Sequence, residues 1–222
     1  MVLIMQSTLI KTESTQTEVQ PLHPLIVSTA YFFGLALLLA FSALVIHLEV
    51  TQINGSIGED SLVECLQEGY LLITAGLFAA VAIKRSELRG FAFLVSAFFF
   101  IILIRELDSL FDQIHHGFWK YPAWLLATIA IGYAHSHKET SIDPLTNYIS
   151  HKSYSLMLAG IATLFIFARI YGMSDLWQGV MQESYIRSVK NLAEEGMELL
   201  AYSLIMFAAG WYCLPELLKK GK

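Results

Sequence analysis

The sequence predicts an all-α fold, a polytopic transmembrane helical bundle of six spans, and three observations carry that reading. Hydrophobic residues fill 55% of the 222 positions and charged residues only 15%, which is too apolar for a domain that must keep a wet surface. The apolar residues gather into six stretches separated by polar or turn-forming segments. Several of the stretches reach the length needed to cross a bilayer core only when their polar ends are included, which draws ionisable residues to membrane depth.

Residues 1–24 are mostly polar after a short apolar start. They lack the basic first region and long apolar core of a cleaved signal, and read as a cytoplasmic tail. The membrane domain occupies 25–213. Its first span runs from Leu25 to His47, and Asn54, Gly55 and Gly58 mark the short loop after it. The second begins near Ser61 and continues to Ile83, and KRSELRG at 84–90 is a tight basic loop. The third runs from Phe91 to about Leu110, the fourth from Tyr121 to His135, the fifth from Tyr154 to about Gly172 and the sixth from Glu195 to Cys213. Residues 214–222 form a second cytoplasmic tail.

Orientation follows from lysine and arginine in the connecting segments. One set carries Lys11, Lys84, Arg85, Arg89, Lys138, Lys152, Lys219, Lys220 and Lys222; the other carries Lys120, Arg187 and Lys190. This bias predicts both termini in the cytoplasm. Trp119, Tyr121, Trp124 and Trp177 then fall near the outer boundary, where interfacial aromatics anchor helices. Cys65 and Cys213 fall at opposite faces, which predicts two unpaired thiols. The net charge of −5 offers no broad basic surface, so nucleic acid is not an expected partner.

On this topology the charges at membrane depth share the outer end of their helices. About fourteen residues separate Phe91 from Arg105, roughly 21 Å of helix against a core of roughly 30 Å, so Arg105 and Glu106 lie within the outer leaflet or its interface. Arg169 and Glu198 follow by the same count. In the second span Glu64 and Glu68 lie four residues apart on one face beside Gln67. Asp108, Asp112 and His115 or His116 repeat that spacing after the third. Glu194 and Glu198 repeat it at the start of the sixth, with Glu195 beside them.

Such a cluster has three chemical readings. Arg105 and Arg169 are counter-charges in a network of ion pairs that sets helix packing, or anion holders for a lipid headgroup. Alternatively the excess of acid binds a divalent metal, with Glu64, Glu68, Asp108, Asp112, His115, Glu194 and Glu198 as candidate ligands or proton carriers. Asp112-x-x-His115 has the helical carboxylate–histidine spacing of di-metal bundles, although those use two such motifs and only one is present. The third reading is a b-type haem on His47, His115, His116, His135, His137 or His151. It is disfavoured because no single span carries a histidine at both depths. The inner halves of the spans are uniformly apolar, and no proline interrupts a span at mid-depth, so a pocket open to one side fits better than a through-path. No phosphate loop, nucleophile elbow, His-Glu-x-x-His or Cys-x-x-Cys occurs, and no reaction is assigned.

Three segments, EDSLVECLQ at 59–67, RELDSLFD at 105–112 and LAEEGMELLAYSL at 192–204, resemble those of a group of uncharacterised bacterial multi-pass inner-membrane proteins with acidic helix starts. The resemblance implies a location in the bacterial inner membrane. The expected partners are the lipid bilayer and a lipid headgroup or small periplasmic ligand.

Overall fold

The computed structural model describes residues 24–53 and 61–219. The proposed tail up to His23, the loop bearing Asn54, Gly55 and Gly58, and residues 220–222 lie outside the described residues. Backbone contacts divide the chain after Gly34 into two units.

Every regular element among the described residues is helical. Helix α1, Pro24–Leu48, runs into a π-helical turn at Glu49–Ile53, and its start suits proline because the first turn needs no backbone donor. Beyond Gly34 its apolar residues Leu37, Phe41, Leu44 and Leu48 are exposed, whereas Ser42 and Glu49 are buried. That inversion is the mark of a helix solvated by lipid. The Ser42 hydroxyl donates to the Leu38 carbonyl at 3.0 Å and lies 3.0 Å from Tyr70 Oη and 2.9 Å from Ser203 Oγ. A small polar knot thereby ties three helices inside an apolar bundle.

Helix α2, Leu62–Lys84, starts at Ser61, whose hydroxyl accepts from the Glu64 N–H at 3.2 Å. The buried Glu49 carboxylate accepts from the Leu62 N–H at 3.0 Å. Val63, Gln67, Tyr70, Thr74, Phe78 and Val81 are buried at spacings of three or four, the signature of one helix face turned to a core. A 3₁₀ turn at Ser86–Leu88 reverses the chain into α3, Arg89–Glu106. The α2–α3 hairpin is held by Ser96 Oγ donating to the Ala75 carbonyl at 2.9 Å and by Arg89 Nε donating to the Ala82 carbonyl at 3.1 Å.

The third span is not continuous to Leu110. The helix stops at Glu106, turns at Leu107 and restarts as α4, Asp108–Asp112. Next come α5, Lys120–Ser136, and the amphipathic α6, Ile142–Ile149. The fifth span comprises α7, Lys152–Ala162, a π-helical stretch at Thr163–Ala168, and α8, Arg169–Tyr171. After the short α9, Ser174–Met181, α10 extends over Arg187–Leu218, a longer helix than the apolar run from Glu195 to Cys213 suggested.

Among the described residues five helical segments are long and apolar enough to cross a membrane: Pro24–Ile53, Leu62–Lys84, Ser86–Glu106, Lys152–Tyr171 and Arg187–Leu218. The expected fourth span, α5, is a 17-residue helix and falls outside that set.

Helix α10 is central. It packs on α2 and on α7, while α2 pairs with α3 and α3 with α5. Its wholly buried Leu199, Ala201, Ala208 and Ala209 let neighbouring helices approach closely. Phe78, Phe91 and Tyr212 interlock at ring separations of 5.8–6.1 Å. A cavity of about 430 Å³ between α3, α5, α6 and α7 is lined by apolar side chains and two tyrosines, among them Ala97, Phe98, Ala130 and Met157.

Gly160 marks a close contact between α7 and α10. A methyl group there would lie 2.7 Å from Ile205 Cγ1 and 3.1 Å from the Ala201 carbonyl oxygen, whereas one at Gly132 meets nothing within 4 Å. Gly160→Ala should therefore destabilise the folded protein by about 1–3 kcal/mol. Gly132→Ala should be neutral or stabilising by up to about 1 kcal/mol. Reversible unfolding in detergent measures both, and equal effects would refute the packing assignment.

Candidate functional site

Charged and polar side chains converge at the end of the bundle formed by the start of α2, the end of α3, α8 and the first third of α10. Two turns into α10 from Arg187 the helix carries Glu194, Glu195 and Glu198. The helical period sends them in different directions.

Glu195 faces α2, where Gln67 Nε2 donates to its side-chain Oε2 at 3.0 Å and to its backbone carbonyl at 3.1 Å. Glu198 is 7% exposed and meets Arg169 Nη2 of α8 at 4.0 Å. One turn further on, Tyr202 Oη donates to Glu106 Oε1 of α3 at 2.7 Å, and Arg105 forms an ion pair with the same carboxylate. Glu198 lies within the electrostatic reach of Glu106, Glu195, Arg105 and Arg169 together. Glu194 points elsewhere: Lys190 Nζ lies 2.6 Å from its Oε2 and also donates to the Gly172 carbonyl at 3.3 Å. The Glu194 carboxylate packs over Gly172, where an added methyl group would sit 2.2 Å from its Oε1 and push the carboxylate aside.

Glu64 and Glu68 line a separate, open pocket of about 250 Å³ between the first turns of α2 and the α3–α4 junction. Its walls are Ser61, Glu64, Cys65, Glu68, Leu107, Ser109 and Leu110, with no lysine or arginine among them. Cys65 is exposed and Cys213 buried, and both thiols are free.

The seven candidate metal ligands therefore do not share one centre. Glu64 and Glu68 share the pocket, Glu198 belongs to the buried network, and Glu194 belongs to the Lys190 pair. Asp108 opens the short α4. Asp112 pairs with His116 in place of His115: His116 Nδ1 lies 2.7 Å from Asp112 Oδ2, while His115 Nδ1 lies 2.7 Å from the His116 carbonyl. Asp112 Oδ1 also accepts the Gly117 N–H at 2.7 Å, and Gly117 adopts the left-handed φ of 78° that this turn requires. The Gly117 N–H, with His116 second, holds the exposed Asp112 carboxyl below the usual carboxylate range. Asp112 thus acts as a loop clasp. Among the described residues no three of His, Cys, Asp and Glu are grouped so as to hold a metal ion.

Arg105 pairs with Glu106, and Arg169 lies 4.0 Å from Glu198. Gln67 and Tyr202 complete the network, although neither carries charge. Gln67 was visible only as a neighbour of Glu64 and Glu68; Tyr202 has no signal in the sequence beyond lying one helical turn after Glu198.

Comparison of the chain with protein-family models, with curated proteins and with solved structures returns no match in any of the three. The resemblance of its helix ends to bacterial inner-membrane proteins therefore has no independent support.

Two substitutions probe the network. Removing the Tyr202 hydroxyl strips Glu106 of a buried donor, and Tyr202→Phe should cost about 1–3 kcal/mol. Arg169→Ala strands the buried Glu198 carboxylate, whereas Glu198→Gln leaves a half-exposed guanidinium that water can solvate. Arg169→Ala should thus be the more damaging of the two, by about 1–3 kcal/mol after discounting for the 4.0 Å separation and the exposure of Arg169. Unfolding midpoints in the reverse order would contradict the assignment.

Proposed function

We propose that the protein is a six-span protein of the bacterial inner membrane, with both ends in the cytoplasm, whose acidic outer end binds a small cation. A hydrated divalent metal ion is the simplest such ligand. The observation that carries this reading is the pocket whose wall holds Glu64 and Glu68 one helical turn apart on α2, beside Ser61 and Ser109. Two carboxylates with the hydroxyls of Ser61 and Ser109 form a hard oxygen donor set, which suits magnesium, calcium or manganese better than zinc or iron. The neighbouring network of Gln67, Arg105, Glu106, Arg169, Glu195, Glu198 and Tyr202 is the scaffold that fixes α2, α3, α8 and α10 around it.

The topology is supported by α5. Its 17 residues span about 25 Å, within the range of short transmembrane helices. Tyr121, Trp124, Leu125, Ile129 and Ile131 are exposed along it, as lipid-facing side chains are. The excess of lysine and arginine at the opposite end agrees with the positive-inside rule.

A second reading is favoured by the bonds Gln67–Glu195, Tyr202–Glu106 and Arg169–Glu198. In it the whole acidic end serves only to register the helices, and no ligand binds.

Cys65 separates the two readings because it lies in the pocket wall. A membrane-impermeant maleimide should label it from the periplasmic side of intact cells and leave Cys213 unmodified. In purified protein, millimolar calcium or manganese should slow that labelling at least threefold, with an affinity of about 0.1–1 mM. Glu64→Gln with Glu68→Gln should abolish the protection in a protein that still unfolds cooperatively. Labelling that ignores cations in the wild-type protein would sink the binding site and leave the scaffold reading. Labelling only from the cytoplasmic side would overturn the orientation.

A further inference from the structure

The cavity between α3, α5, α6 and α7 has no part in the acidic end, and its shape follows from which helices pack together. Helix α5 packs on α3 and α7 packs on α10, and no comparable packing joins α5 to α7. The two helices stand apart with α3 behind them, around a space of about 430 Å³. Its floor is closed: Ala97 and Phe99 of α3, Ala130 of α5 and Met157 of α7 are at most 4% exposed. At its mouth the lining residues Phe98, Ile131 and Leu145 are exposed, so the space opens sideways to surrounding lipid.

Helix α6 closes one end. Its Tyr148 ring packs between Phe91 at 5.3 Å and Tyr154 at 5.7 Å. Asp143, Thr146 and Asn147 of the same helix are exposed, as suits an amphipathic helix at the membrane surface. Along α3 the lining runs from Phe91 to Ile101, about 15 Å of helix. That is half of a hydrocarbon core of roughly 30 Å, the depth of one leaflet.

These walls limit what can fill the space. A buried water needs roughly two to four polar partners, and the lining side chains are apolar apart from the hydroxyls of Tyr148 and Tyr154. A helix about 10 Å across displaces roughly 1,200 Å³ over about 15 Å of length, far more than the space available. A void would forfeit the dispersion contacts of its walls. A single hydrocarbon chain meets every limit. With a methylene about the size of a water, whose share of liquid volume is about 30 Å³, the 430 Å³ takes roughly fourteen methylenes, the number in a palmitoyl chain.

We propose that this cavity is a binding site for one acyl chain of a phospholipid. The chain enters sideways between α5 and α7 and lies against Ala97 and Ala130, with its headgroup outside at the level of α6. In the topology proposed above this is the cytoplasmic leaflet, although the site itself needs only a membrane. Alanine at 97 and 130 makes the room, since a larger side chain at either position takes up space the hydrocarbon fills. The bound chain in turn joins α5 to α7, which lack comparable packing of their own.

Photo-cross-linking of the full-length protein in nanodiscs tests this. The probe is phosphatidylcholine with a diazirine midway along one palmitoyl chain, diluted into unlabelled phosphatidylcholine, and peptide mass spectrometry locates the adducts. The lining residues of α3 and α7 should be labelled about fivefold more than Leu72 and Ile73, which are exposed on α2 outside the cavity. Ala130→Phe should cut the cavity adducts about fivefold and leave those on α2 unchanged, and Ala97→Leu should act in the same direction. Leu72→Phe, a larger side chain on the lipid-facing surface, should leave the cavity adducts as they are. Equal labelling of the cavity and of α2 in the wild-type protein would mean boundary lipid only and would overturn the site, whether or not a variant folds. Palmitic acid added in excess should leave the cavity adducts in place; their loss would assign the cavity to a free fatty acid and overturn the phospholipid.

Discussion

A lipid core contains no water to satisfy a free backbone N–H or carbonyl, and that single deficit shapes the whole chain. Each segment at membrane depth must close its hydrogen bonds within itself, which leaves helices as the solution available to a single strand of sequence. The same deficit acts on side chains. The polar groups that enter the bundle are bonded across helices: Ser42 to Tyr70 and Ser203, Ser96 to the Ala75 carbonyl, and Gln67 to Glu195. These contacts orient helices that lipid alone would let slide and rotate, because lipid tails solvate leucine as well as another helix does.

Helix α10 is where the constraints meet. At one end its carboxylates and Tyr202 reach α2, α3 and α8, and at the other the Glu216 carboxylate faces Arg85 at the end of α2. Between them lie small residues that admit α2 and α7 closely, including the contact at Gly160. The helix is polar at both ends and apolar between, so its depth is set independently from each side.

The two ends differ in the kind of chemistry they hold. The acidic end concentrates fixed charge, and there Glu64 and Glu68 line an open pocket. The opposite end is built from aromatic rings, a buried thiol and a histidine that caps α7.

Composition and hydropathy alone determined that the protein is helical and bound to a membrane, and placed most helix boundaries within a few residues, because burial in lipid is a property of a local run. They also located the acidic end, since helical spacing puts Glu64 with Glu68 and Glu194 near Glu198. Partner choice was not legible. The break at Leu107, which separates Asp108 and Asp112 from α3, and the pairing of Asp112 with His116 in place of His115, arise from a turn closed by Gly117. Tertiary structure also decided that Glu194 belongs to Lys190 and Glu195 to Gln67. Neighbouring carboxylates on a helix diverge by about 100°, so their environments depend on which helix lies opposite, and no local pattern specifies that.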